Sequence, residues 1–200
     1  MKRFRALVIL AAAISGFLTR VVPADEPPQP VVGKVAPLTD LQLQEYVVLL
    51  RGAGYYGLRD QEEAKAIAEL RKHPEQAAPE LVKMLADGHG NRGRGWIEVY
   101  RPMYIMQGMG PALKVAVPKI AEALSDEHGI NVGKAAELLA EIGPDAKEAM
   151  PALLKAWEKV EAAKLDARRK QLQKNTLAKA MLAVDSEAAK QAGISIVGDE

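Results

Sequence analysis

The chain has 200 residues, of which 48% are apolar and 26% charged, with a formal net charge of +1 at pH 7. This balance indicates a packed domain of ordinary size. The 4% aromatic content favours close-packed helices over sheets, and the lack of cysteine excludes disulfides and lipid attachment through cysteine.

The stretch 1–24 has the organisation of a secretory signal peptide. A basic start (MKRFR) precedes the apolar run Ala6–Leu18, and Val22–Ala24 offers small residues for cleavage. The run is shorter than the roughly 20 residues that span a bilayer, so we expect no transmembrane span after cleavage. An uncleaved anchor is the alternative. We therefore expect an exported protein, periplasmic or secreted.

Cleavage after Ala24 would remove four basic residues and no acidic one, which leaves 23 basic against 26 acidic residues. A mature chain with a net charge of −3 is not expected to bind nucleic acid specifically. Residues 25–38 contain four prolines and are predicted to form a linker.

Residues 39–72 are predicted to form an N-terminal helical pair. Thr39-Asp40 offers an N-cap for a helix whose apolar side chains recur at helical spacing, namely Leu43, Tyr46, Val47 and Leu50. Gly52–Gly57 breaks this helix. Asp60 is then expected to cap a second helix with an apolar side formed by Ala64, Ile67 and Ala68.

From position 73 onward the sequence repeats. Segments 73–85, 110–124 and 143–157 align with one another without gaps. A period of roughly 30–40 residues predicts a helical solenoid. Three columns of the alignment hold equivalent residues: Pro79, Pro118 and Pro151; Leu81, Ile120 and Leu153; Leu85, Leu124 and Trp157.

Second helices are predicted between these segments, over 94–108, 132–142 and 166–183, and a partial unit over 184–193, before a tail at 194–200. The helix 132–142 has an apolar face of Ala135, Leu138, Leu139 and Ile142. Gly143-Pro144 is expected to end one helix and begin the next. Each column proline is expected to kink its helix, since proline lacks the N–H that a helix interior requires.

The pattern G-P-x-A-x-x-A-x-P-x-L-x-x-A, seen at 143–156, resembles HEAT repeats, especially the alanine- and proline-rich repeats of exported bacterial proteins. The resemblance covers about residues 60–193, and the first pair lacks the Gly-Pro start. It implies an all-α fold, an α-solenoid of about four antiparallel helix pairs with HEAT-like repeats over 73–193. It also implies binding of other macromolecules, and it carries no catalytic motif.

Little in the sequence points to catalysis. His73, His89 and His128 do not have helical zinc spacing, and no nucleophile motif occurs. We therefore predict a protein that is not an enzyme and has no cofactor. The glycine-rich stretch 88–95 lacks the order of a P-loop; it is either a flexible connection or an anion-binding loop using Arg92 and Arg94.

Two loops that recur in consecutive repeats could form a metal site. Asp87 and His89 recur in the next aligned repeat as Asp126 and His128. If these loops stack, the two Asp/His pairs could take a divalent metal and support a metal-dependent accessory or enzyme. The simpler interpretation is that they cap helices and form turns. No third or fourth ligand is evident, so no metal is predicted.

Trp96, Tyr100 and Tyr104 follow one another at intervals of four residues on a predicted second helix. They either pack in the core or form a recognition surface beside Arg101 and the two loop arginines. Residues 155–179 hold eight basic and three acidic side chains. This run is either a solvated helix face or a docking patch for an acidic partner, an anionic polymer or a membrane surface.

Together these patterns predict a non-enzymatic scaffold that binds another protein, with an anionic envelope polymer as the alternative partner. The predicted binding residues are Arg92, Arg94, Trp96, Tyr100, Arg101, Arg168 and Arg169.

Overall fold

The computed structural model of the chain describes residues 36–52, 61–90, 95–126 and 129–195. All of them belong to the compact unit Val35–Glu200. The predicted signal peptide, most of the predicted linker and the predicted Asp60 cap lie outside the described residues. The predicted helical character is confirmed: the described part of the chain contains helices and no strand.

The described helices follow one another along the chain with short connections. Nine of them are α-helices: α1 (Asp40–Gly52), α2 (Gln61–Lys72), α3 (Pro74–Gly90), α4 (Gly95–Met106), α5 (Val117–Ala123), α6 (Gly129–Ile142), α7 (Met150–Ala162), α8 (Ala167–Val184) and α9 (Ser186–Gln191). Two 3₁₀ segments, Gly110–Ala116 and Gly143–Ala149, directly precede α5 and α7.

Consecutive helices contact each other in pairs: α1 with α2, α3 with α4, α5 with α6, and α7 with α8. We call α2, α4, α6 and α8 the second helices. Each second helix also contacts the next one, from α2 to α4, α4 to α6 and α6 to α8. The first helices do the same, from α1 to α3, α3 to α5 and α5 to α7. Side chains on neighbouring second helices can therefore form one surface.

The aligned apolar columns lie in the core. Leu81, Ile120 and Leu153 are fully buried, and the prolines of the neighbouring column are exposed. The predicted face of α6 is also confirmed, because Ala135, Leu138, Leu139 and Ile142 are all buried. Burial of this kind stabilises a fold by roughly 1.5–3 kcal/mol for each large apolar side chain.

The predicted apolar side of α2 is confirmed at Ile67 and wrong at Ala64 and Ala68. Ala64 and Ala68 are exposed, whereas Glu63 is buried together with Ala66, Ile67 and Leu70. The buried side of α2 also includes Glu63, whose carboxylate pairs with Arg101 on α4. A buried carboxylate needs such a partner, and a pattern of apolar residues cannot show one.

The prediction that Pro118 and Pro151 kink a continuous α-helix is wrong. Each lies in the first turn of a new α-helix, α5 or α7, that follows a 3₁₀ segment. In the first turn the missing N–H costs nothing, because those N–H groups have no partner within the helix. Pro79 and Pro102, in contrast, lie inside α3 and α4.

The helix ends follow local capping chemistry. Thr39 and Gln42 form a reciprocal capping box at the start of α1, with hydrogen bonds of 3.0 Å from the Thr39 N–H and 3.3 Å from the Gln42 N–H. Asp166 and Asp185 cap α8 and α9 through their carboxylates. The hydrogen bond from the Ala188 N–H, together with Lys147, lowers the pKa of Asp185.

Two lysines at equivalent positions of the 3₁₀ segments form ion pairs with residues further along the chain. Lys114 and Lys147 each lie four residues after the glycine that begins a 3₁₀ segment, Gly110 or Gly143. Each reaches forward to a carboxylate, Lys114 to Asp145 at 3.0 Å and Lys147 to Asp185 at 3.3 Å. The first ion pair joins the 3₁₀ segment before α5 to the one before α7, and the second joins the latter segment to the junction between α8 and α9.

Candidate functional site: a tyrosine–cation surface

Tyr100 and Tyr104 lie one turn apart on α4 and are both half-buried. Their ring centroids are 6.4 Å apart with an angle of 20° between the planes, so the rings are stacked along the helix. Within the described residues neither phenol oxygen has a hydrogen-bond partner. The side chains therefore present partly exposed rings and hydroxyl groups that a ligand can use.

A cation from each neighbouring second helix flanks this pair. The Arg71 guanidinium on α2 lies 5.5 Å from the Tyr104 ring centroid, and the Lys134 ammonium on α6 lies 6.0 Å from that of Tyr100. Both distances allow a cation–π interaction. We call Arg71, Tyr100, Tyr104 and Lys134 the tyrosine–cation surface; it spans three helices.

Hydrogen bonds to the last turn of α4 hold Arg71 in position. Its guanidinium donates hydrogen bonds to the carbonyl oxygens of Tyr104, at 2.8 Å, and Ile105, at 3.1 Å. These carbonyls belong to the last turn of α4, where they have no donor partner within the helix. Arg71 thus satisfies the end of α4 and at the same time lies against the Tyr104 ring.

Lys134 forms an ion pair with Glu137 on its own helix. Its ammonium lies 2.6 Å from a Glu137 carboxylate oxygen, and the lysine side chain is only 12% exposed while that of Glu137 is 48% exposed. The charge of Lys134 is therefore partly neutralised beside the Tyr100 ring. The surface combines rigid aromatic rings with cations that are already oriented, and tyrosine and arginine are among the residues that dominate binding energy in protein interfaces.

Arg101, a predicted binding residue on the same helix, is held in an ion pair with α2. Its guanidinium is 2.5 Å from a Glu63 carboxylate oxygen, and the two side chains are 18% and 5% exposed. The pair links α4 to α2 and so supports the position of α4. The Trp96 backbone lies in the first turn of α4, but its side chain is outside the described residues, as are Arg92 and Arg94.

The other two predicted residues lie on a different helix. Arg168 and Arg169 are exposed in the first turn of α8, which packs on α6. Arg169 pairs with Asp166 at 3.5 Å, and Arg168 has no polar partner among the described residues. Of the predicted residues whose side chains are described, only Tyr100 belongs to the tyrosine–cation surface.

Several basic side chains of the run 155–179 bind carbonyl or carboxylate oxygens of the chain itself. Lys159 donates to the carbonyl oxygens of Ser125 and Asp126 at 3.2 Å each, and Lys170 donates to the Glu161 carbonyl at 2.8 Å. Lys174 pairs with the Glu161 carboxylate and lies 4.6 Å from the Trp157 ring centroid. The hydrogen bond from Lys174 lowers the pKa of Glu161.

The two aspartates of the alternative metal site have other partners. Asp87 pairs with Arg51 at 3.0 Å, and Asp126 accepts a hydrogen bond of 2.6 Å from the Asn131 side-chain amide. The side chains of His89 and His128 are outside the described residues. Across the residues that the structure does describe, no group of three or more histidine or acidic side chains could hold a metal ion.

Sequence reasoning predicted Tyr100 as a binding residue and placed Tyr104 in the same aromatic series, but it missed Arg71 and Lys134. A signal for both was present, because each cation lies about one repeat, roughly 35 residues, along the chain from the tyrosine that it flanks. Residues in equivalent positions of successive second helices are expected to be neighbours. Aligning the second helices as well as the first ones would have placed the four residues together.

Comparison with protein-family models, with curated proteins and with solved structures finds no significant match. In the part of the chain that the structure describes, no helix is both long enough and apolar enough to cross a membrane.

Proposed function

We propose that this chain is an exported α-solenoid of four HEAT-like helix pairs, which acts as a non-enzymatic scaffold and binds another protein through its second helices. The repeat spacings and the contacts between successive second helices support the solenoid. The basic and apolar start of the sequence supports export. Helix pairs stacked in this way expose an extended surface that suits a polypeptide partner.

The tyrosine–cation surface is the observation that carries the binding proposal. It brings two stacked, partly exposed tyrosine rings together with two cations, and tyrosine and arginine are enriched among the residues that dominate binding energy in interfaces. Tyrosine contributes apolar area and a hydroxyl group at little cost in conformational entropy. Arg71 and Lys134 restrict the rings further and so pre-organise the surface for binding.

The test is crosslinking in the native cell with the tagged full-length chain, followed by affinity purification in high salt and mass spectrometry. We expect Tyr100→Ala/Tyr104→Ala to reduce the yield of the crosslinked partner by about tenfold or more, as for interface aromatic anchors. The variant Tyr100→Phe/Tyr104→Phe keeps the rings and should lose only the contribution of the hydroxyl groups, about two- to fivefold.

Tyr46→Ala is the matched control. Tyr46 is a half-buried tyrosine on α1, outside the tyrosine–cation surface, so this variant should retain the partner. Thermal unfolding of each variant separates loss of binding from loss of folding. Equal partner yields from the wild type and Tyr100→Ala/Tyr104→Ala would reject the proposal. Retention on an anionic matrix alone, abolished by salt, would favour the polymer-binding alternative instead.

A further inference from the structure

The outward side of α8 carries two cations and one large apolar side chain in a row. Arg168, Leu172 and Lys179 follow one another at intervals of four and seven residues, so they lie within about 40° of each other around the helix axis. All three are exposed, and Leu172 is 68% exposed. We call these three residues the α8 stripe.

The cations of the α8 stripe differ from their basic neighbours in having no partner among the described residues. Lys170 and Lys174 bind Glu161, and Arg169 pairs with Asp166. In the same part of the chain, the side chains of Arg168 and Lys179 form neither an ion pair nor a hydrogen bond. Their charge is therefore available to a binding partner, and the adjacent Leu172 offers apolar area that the fold leaves exposed.

We infer that the α8 stripe binds an acidic segment of a protein partner, in which acidic side chains flank an apolar one. This inference rests on the proposed protein-binding function and names the chemistry of the partner. Opposite charge would attract the segment and set its orientation. Contact with Leu172 would contribute apolar burial that does not depend on salt.

The spacing of the stripe defines the segment further. With a rise of about 1.5 Å per residue, Arg168 and Leu172 are about 6 Å apart along the helix axis, and Leu172 and Lys179 about 10 Å. An extended chain advances about 3.3 Å per residue. Successive side chains of an extended chain point to opposite faces, so only even offsets place the acidic residues on the same side as the apolar one. The first acidic residue should therefore precede the apolar residue by two positions. The second should follow it by four, about 13 Å along the chain, a distance that the long Lys179 side chain can meet.

The composition of the stripe favours a peptide over other anionic partners. A phosphate polymer has no apolar side chain to place against Leu172. A membrane surface requires a broad apolar helix face, whereas Leu172 is the only large apolar residue among the strongly exposed ones described on α8. A segment that combines acidic and apolar residues uses both features of the stripe.

The experiment measures binding of a fluorescein-labelled peptide with the core Glu-Ser-Leu-Ser-Ser-Ser-Glu to the full-length chain by fluorescence anisotropy. At low salt, about 50 mM, we expect Arg168→Gln/Lys179→Gln to weaken binding about tenfold and to flatten its salt dependence. Leu172→Ser should weaken binding about fivefold and leave the salt dependence unchanged. All three side chains are exposed, so the variants are expected to fold.

The matched control is Lys65→Gln/Lys72→Gln, which removes the same charge from α2 and should bind the peptide like the wild type. Peptide binding to Arg168→Gln/Lys179→Gln within about twofold of the wild type would overturn the inference. So would a wild-type chain that binds polyphosphate or phosphatidylglycerol vesicles but does not bind the peptide.

The inference and the proposed function can fail separately. If the α8 variants bind the peptide normally while Tyr100→Ala/Tyr104→Ala loses its crosslinked partner, the inference fails and the proposed function stands. A wild-type chain that crosslinks no protein would reject the proposed function, whatever the peptide does.

Discussion

Arg101 shows how the role of a single residue depends on its ion-pair partner. An arginine beside two tyrosines would be expected on a binding surface, yet Arg101 forms a 2.5 Å ion pair with Glu63, which is almost fully buried. A buried ion pair of this kind gains little over an apolar pair, but removing one partner leaves a buried charge. Arg101 therefore acts on the tyrosine–cation surface indirectly, by holding α4 against α2.

The Glu63–Arg101 pair gives a prediction about stability. Arg101→Met should lower the free energy of unfolding by about 3 kcal/mol, because it takes the cation away from the buried Glu63 carboxylate. Urea unfolding followed by circular dichroism measures this loss. The double variant Glu63→Leu/Arg101→Met removes both charges and should recover most of it. Equal losses in the single and double variants would show that the ion pair is not responsible.

At the scale of the helices, the ends and junctions are built from glycine and proline. Gly143 has φ = +70°, and it joins the end of α6 to the following 3₁₀ segment. Only glycine adopts this left-handed conformation without strain. Pro144 and Pro151 then occupy first-turn positions, where a missing N–H has no cost. The Gly-Pro pair thus ends one helix and begins the next segment.

Two glycine-to-alanine substitutions distinguish the strain of a positive φ from steric overlap of an added Cβ. Gly143→Ala should lower the free energy of unfolding by about 1–2 kcal/mol, since alanine is strained at positive φ. Steric overlap would not contribute, because an added Cβ at Gly143 would lie 3.9 Å from its nearest neighbour, the Ala183 carbonyl oxygen. Differential scanning calorimetry or urea unfolding measures the change.

Gly133→Ala is the matched control. Gly133 lies inside α6 with open space around the position of an added Cβ, so alanine there should raise the free energy of unfolding by up to about 1 kcal/mol. A loss of stability at Gly133, or none at Gly143, would contradict this account of the helix junctions.

At the scale of the whole described fold, each helix pair contacts its neighbours along the chain. The first helix, α1, packs on α2 and α3, and an ion pair from Lys114 to Asp145 links two later pairs. In the repeat array that we propose, stability should be roughly the sum of terms for the units and for the interfaces between neighbours. A terminal pair can then lose structure while the others keep theirs.

The same leucine-to-alanine change in two different helix pairs tests whether one pair can lose structure while the others keep theirs. Leu50 on α1 and Leu139 on α6 are both fully buried, so each substitution should cost about 3 kcal/mol locally. In hydrogen exchange measured by mass spectrometry, Leu50→Ala should increase exchange in α1 and α2 and leave α6 and α8 protected. Leu139→Ala should increase exchange in α6 and α8. If both variants increase exchange uniformly, the described helices unfold as one cooperative unit.

The surface residues show why part of the candidate site could be predicted and part could not. Tyr100 and Tyr104 share a helix, so their spacing alone places them side by side. Arg71 and Lys134 reach them from other helices, and the register between second helices depends on how the pairs stack. Arg168 remains a candidate for binding, but on α8 rather than beside the tyrosines.

The sequence by itself determined that the described part of the chain is helical, where most of its helices lie and that the column of Leu81, Ile120 and Leu153 is buried. These follow from periodicity and from the local chemistry of glycine, proline and capping residues. Only the tertiary structure decided that α2 buries Glu63, that Pro118 and Pro151 begin new helices, and that half of the basic run is paired within the fold. Each of these outcomes depends on a partner in another segment or on the balance between alternative helical geometries. A pattern within one segment contains no information about either.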